Sequence, residues 1–124
     1  MDVILRNPIT SMTEFTFLYR GTSRATTPDE QQKVFAKWSA WFESLKQRGA
    51  LVNIGHPLEK QGSVVAGTSK VVSDGPFAEA KDIIGGYSIV SASSLAAATE
   101  FAKGCPILEH GGSVEIRPIM RMGT

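Results

Sequence analysis

Histidine is scarce in this chain, cysteine nearly absent and long apolar runs missing altogether. Each shortage removes a class of function. A single cysteine, Cys105, makes no internal disulfide and no thiolate metal site, so an intracellular, cytoplasmic setting is expected. Two histidines far apart in sequence, His56 and His110, lack the spacing of a metal pair, and no metal is expected. No stretch approaches the roughly 18–20 apolar residues of a membrane span, and the first residues are too briefly apolar for a signal peptide. Thirteen basic and twelve acidic side chains leave a net charge of +1, spread along the chain. That balance offers no footprint for nucleic acid or for an anionic membrane surface. Dinucleotide, phosphate-loop, nucleophile-elbow and zinc-protease motifs are all missing, and no cofactor is expected.

What remains is an ordinary globular composition over 124 residues, one domain on length. A chain of this length buries roughly 65–70% of its unfolded surface, so it needs neither a disulfide nor a metal to fold. Residues 1–11 read as an N-terminal extension ending in a polar Thr10-Ser11 pair, and residues 12–124 as the domain. Val3, Ile4 and Leu5 of the extension could also add an edge strand.

Strand and helix signals then alternate. Glu14 to Arg20 is a strand in which Phe15, Phe17 and Tyr19 point one way and Thr16, Leu18 and Arg20 the other. Thr27-Pro28-Asp29-Glu30 is a capping box with proline at the first helical position. Val34, Phe35, Trp38, Trp41, Phe42 and Leu45 follow as an apolar stripe, which predicts a helix over Pro28–Arg48 packed on a sheet. Ala50 to Ile54 is a short strand that Gly55-His56-Pro57 breaks. Ser63–Ala66 and Lys70–Ser73 form a hairpin around Gly67-Thr68-Ser69, closed by Asp74-Gly75-Pro76. A strand runs from Tyr87 to Ala92. Ser93 or Ser94 caps a second helix with Leu95, Ala98, Phe101 and Ala102 on its apolar face, and Gly104 and Pro106 end it. The last strand is Val114 to Met120. This order predicts an α+β, ferredoxin-like (split βαβ) antiparallel sheet, with both helices on one face and the hairpin inserted between the halves.

The segment D-G-P-F-A-E-A-K-D at Asp74–Asp82, followed by G-G-Y-S-I-V at Gly85–Val90, is similar to the signature of DGPF proteins, a branch of the YCII-related family. G-H-P-L at Gly55, S-S-L-A-A-A at Ser93, K-G-C-P at Lys103 and V-E-I-R-P-I at Val114 fit in the same order, so the resemblance spans about residues 12–121. It implies a ferredoxin-like domain that pairs into a homodimer of the dimeric α+β barrel type. In the wider family it implies a cleft with a His and an Asp, the His on the first helix. Pro28–Arg48 contains no histidine here, so that dyad does not carry over.

Candidate site residues are weighed individually. Asp74 is either a backbone cap in a turn leading into a short helical piece, Phe77 to Asp82, or a carboxylate at a pocket mouth walled by Phe77. Lys81 is either solvated or a ligand for an anion. His56 is the histidine to consider for acid–base work with Asp74, since its side chain titrates near neutrality; the alternative is a bystander in a rigid loop. The sheet face opposite the helices collects Leu18, Ile119, Arg20, Glu115 and Arg117, which suits a polar-lined cavity or a subunit interface. Arg20 and Arg117 are the cations to hold a carboxylate there. Two functions follow: a ligand-binding or enzyme-like protein that takes a small polar metabolite in a cleft near the D-G-P-F turn, or a non-catalytic homodimeric regulatory or interaction module.

Overall fold

The computed structural model describes residues 12–21, 25–75 and 82–122. Six strands and two helices follow in the order β1 (Thr13–Arg20), α1 (Pro28–Gln47), β2 (Leu51–Pro57), β3 (Gly62–Ala66), β4 (Val71–Gly75), β5 (Ile84–Ala92), α2 (Leu95–Ala102) and β6 (Ser113–Pro118). A 3-10 turn at Pro106–His110 joins α2 to β6. One antiparallel sheet has the strand order β2-β5-β1-β6, and β3-β4 is a separate two-stranded hairpin. This is the expected α+β, ferredoxin-like arrangement with an inserted hairpin.

Alternation in β1 decides where the core lies. Phe15, Phe17 and Tyr19 are buried, and register sets Phe15 opposite Val90 and Phe17 opposite Ser88 and Ile116. Cross-strand partners share a face, so Val90, Ala92, Val114 and Ile116 join them under the helices. Trp41 and Leu45 of α1 and Ala98 and Ala102 of α2 close that side. The stripe on α1 is narrower than expected: Trp41 is buried and Trp38 half-buried, and Phe35 is 71% exposed. Leu95 likewise faces solvent on α2.

Helix ends behave as the sequence requires. Thr27 Oγ1 accepts from the Glu30 amide at 3.1 Å, and Glu30 Oε1 accepts from the amides of Thr27 and Thr26. Those bonds hold the Glu30 carboxyl below its ordinary range. Ser94 caps α2 through the Ala97 amide at 3.0 Å. Past Gly104, Pro106 starts the 3-10 turn in the position where its missing N–H costs nothing.

Three boundaries differ from the sequence expectation. Gly55-His56-Pro57 does not break β2. Gly55 takes φ +71°, in the left-handed region, and absorbs an irregularity beyond which His56 pairs with Tyr87 and Pro57 with Gly86. A Cβ there would lie 1.7 Å from the Tyr87 carbonyl oxygen. The backbone groups displaced by the irregularity are bonded: Gly55 N–H donates to Asn53 Oδ1 at 2.8 Å and Ser88 Oγ donates to Ile54 O at 2.6 Å. Asp74 and Gly75 do not end the hairpin but belong to it, opposite Ser63 and Gly62. β5 starts earlier than expected, so Gly85 and Gly86 lie inside it.

Trp41 is the aromatic anchor of the core. Its indole donates to Phe101 O at 3.1 Å, and its ring meets those of Phe17, Tyr19, Trp38 and Phe42. Trp41→Ala is expected to cost about 3–5 kcal/mol, and Phe35→Ala to stay within about 0.5 kcal/mol. Urea denaturation of both variants checks this; equal losses would show that α1 packs through a different face.

Candidate functional site

Among the described residues, no helix covers the sheet face away from α1 and α2. Register orders it in rows: His56, Tyr87, Leu18 and Glu115 across the four strands, then Asn53, Ile89, Thr16 and Arg117 beside them. Leu18, Tyr87, Ile89, Thr16 and Glu115 are all half-buried. Val90 has no part in this face; it is fully buried under the helices, and its neighbours Ile89 and Tyr87 supply the apolar surface.

Charge gathers at the β1–β6 side. Arg20 donates from Nε and Nη2 to Glu115 Oε1, at 3.1 and 2.8 Å, and from Nη1 to Asp82 O at 2.8 Å. Arg117 reaches Glu115 Oε2 through one longer contact of 3.3 Å and is 67% exposed. Glu115 therefore sits between two guanidinium groups. The hydrogen bond from Arg20 is the main reason that its carboxyl lies below the ordinary range, and Arg117 adds to the effect. Glu115 of its own strand is the carboxylate that Arg117 meets within the described chain.

A recess of about 340 Å³ opens where the end of β1 and the start of β5 meet the hairpin. Arg20, Glu59, Lys60, Ser63, Gly75 and Ile84 are among its lining residues. The sequence reading did not single out Lys60 or Glu59, because a polar loop between two strands carries no pattern that marks a wall. Gly75 of the signature has a steric reason to be glycine: a Cβ there would meet Val64 Cγ2 at 2.6 Å and the Ser63 carbonyl carbon at 3.2 Å.

The remaining candidates separate. Asp74 is exposed on β4, with no side-chain partner among the described residues, so capping by Phe77 or Ala78 falls outside them, as do the Phe77 and Lys81 positions. His56 is exposed and its ring lies edge-on to Tyr87 at 6.1 Å. No hydrogen bond joins His56 and Asp74 within the chain among the described residues. His110 closes the 3-10 turn. Among the described residues no cluster of three His, Cys, Asp or Glu is arranged to hold a metal ion, and no helix is long and apolar enough to cross a membrane.

Two buried groups are chemically quiet. Burial pushes the Cys105 thiol up to about 12, far from a nucleophilic thiolate at neutral pH. Burial raises the Tyr19 phenol as well; its hydroxyl makes no full hydrogen bond, although Ser88 lies close enough to temper the shift.

The class defined by this geometry is a small α+β domain with two helices on one face of an antiparallel sheet. The YCII-related domain model matches residues 15–123, and the chain belongs to that family. No curated protein matches it.

The Arg20–Glu115 pair sets a pH dependence. Glu115 titrates lower in the folded chain, so its contribution to stability is present above the unfolded carboxyl value near 4.3 and is lost as pH falls through the folded value. Arg20→Gln is expected to return the Glu115 midpoint towards the ordinary range in a carboxyl NMR titration. An unmoved midpoint would show that Arg20 does not hold it.

Proposed function

We propose that the protein binds a small polar metabolite carrying a carboxylate or a similar anionic group, in the recess between β1 and the β3–β4 hairpin. On this reading it is an enzyme-like member of the DGPF branch, working in the cytoplasm as a homodimer closed through the sheet face away from the helices. The recess carries the proposal. Its volume of about 340 Å³ lies within the range of small-molecule sites. It adjoins the signature at Gly75, and its wall includes Lys60, which has no ion-pair partner among the described residues. Arg20 shapes the wall and adds positive potential, though its donors are engaged by Glu115 and Asp82 O. The dimer is supported by Leu18, Tyr87 and Ile89, an apolar strip that a second sheet would remove from water. The buried Cys105 suits a reducing compartment.

A second reading, a non-catalytic dimeric module acting through protein contacts, is favoured by one observation: His56 and Asp74 are not joined within the chain, and α1 carries no histidine to replace His56. A thermal-shift screen of small carboxylates and phosphates separates the two. A ligand at a hundred times its Kd adds about 2.7 kcal/mol of stability, and Lys60→Glu is expected to abolish the shift. A flat response across the library favours the module. Light scattering tests the dimer separately, with an expected mass of about 27 kDa, twice the 13.3 kDa chain.

A further inference from the structure

The loop between β2 and the hairpin is anchored at both ends. Leu58 N–H donates to Gly85 O at 2.9 Å, continuing the pairing of β2 with β5, and Gly62 pairs with Gly75 at the base of the hairpin. Glu59, Lys60 and Gln61 lie between these anchors, and all three line the recess. Charged residues on so short a tethered span lose little freedom when a ligand arrives, which favours binding. Their signs are mixed. Arg20 comes with its own counter-ion, Glu115. Lys60, Glu59 and Asp82 also line the recess and form no ion pair among the described residues.

We infer that the recess takes a zwitterion, a small molecule of the α-amino-acid class, with its carboxylate on Lys60 and its ammonium group towards Glu59 and Asp82. The inference rests on the anion site proposed above for the recess and narrows its ligand. Charge balance selects the class. The lining residues outside the Arg20–Glu115 pair bring one ammonium group, on Lys60, and two carboxylates, on Glu59 and Asp82. A simple carboxylate would gain Lys60 but be repelled by Glu59 and Asp82, all the more as it shields them from water. A simple amine would gain the carboxylates and leave Lys60 without a counter-ion. A ligand that carries both groups answers both signs, and each contact is a charge-assisted hydrogen bond. The rest of the ligand has a place as well. Leu58, Val64, Ile83 and Ile84 also line the recess, so the side chain it accepts is apolar. Apolar walls with a few polar groups that fix orientation are the usual construction of a small-molecule site.

The test is an NMR titration of the full chain at low ionic strength, where exposed charges are least screened. The probes are α-amino acids with short, branched and aromatic apolar side chains. Each is run beside the carboxylic acid that lacks its amino group and the amine that lacks its carboxyl group. An amino acid is expected to bind about tenfold or more tighter than either truncated partner. Glu59→Gln together with Asp82→Asn is expected to bring the amino acid down to the affinity of its carboxylic acid, and Lys60→Met to that of its amine. All three side chains are exposed, so these variants keep the fold. Carboxylic acids that bind as tightly as the amino acids, and that ignore the loss of Glu59 and Asp82, would overturn the zwitterion and leave the anion site standing. Amines that bind as tightly as the amino acids would overturn both. A panel in which nothing binds at millimolar concentration would overturn the zwitterion, and the carboxylates and phosphates of the thermal-shift screen then show whether the anion site falls with it.

Discussion

Among the described residues two helices cover one face of a four-stranded sheet, and the rest of the structure follows from how the strands divide their side chains between the faces. β1 is the central divider. Phe15, Phe17 and Tyr19 go to the helices, where Trp41 and Leu45 meet them. Thr16, Leu18 and Arg20 go the other way, and antiparallel register gives each a neighbour of the same orientation on β5 and β6. A slip of one residue would exchange the two sets, which is why a strand with three aromatic residues on one side has one acceptable register.

The face away from the helices holds its charges in a fixed geometry. Arg20 and Arg117 share Glu115 unequally, two short hydrogen bonds against one longer contact. The consequence is a division of labour between two arginines on neighbouring strands. Arg20 ties the end of β1 to β6 and to the Asp82 carbonyl, framing the recess, whereas Arg117 keeps most of its guanidinium open to solvent. The hairpin extends this plan outward. It encloses the recess with Val64 and Gly75 and turns Val65, Val72 and Asp74 away from its own chain. The ionisable candidates His56, Asp74, Arg20, Glu115 and Arg117 thus lie on the sheet and the hairpin, and α1 carries no histidine.

Much of the architecture is legible in the amino-acid sequence. The capping box at Thr27, the aromatic stripe after it and the alternation of β1 are local patterns, each satisfied by contacts within a turn or along one strand. Exposure within a stripe is not legible: Phe35 and Trp38 both have the right helical period, yet Phe35 is exposed and Trp38 half-buried, a difference that depends on which part of α1 meets the core. Nor is the course of β2, because a glycine at positive φ reads as a break until a partner strand is there to pair with His56 and Pro57 beyond it. Alternation alone puts Arg20, Arg117 and Glu115 on one face. Their unequal hydrogen bonding depends on distances across two strands.

The amino-acid sequence by itself determined the order of strands and helices, the caps that bound the helices, the side of β1 that is core, and the family, because these depend on short-range periodicity and on motifs read in line. Tertiary structure alone decided that Asp74 lies in a hairpin strand and that His56 faces Tyr87 on the main sheet. It also formed the recess beside Gly75 from a loop, a strand end and a hairpin. Those features join residues far apart in the chain, and which of them meet depends on register, bulges and close backbone approach, none of which leaves a local mark in the sequence.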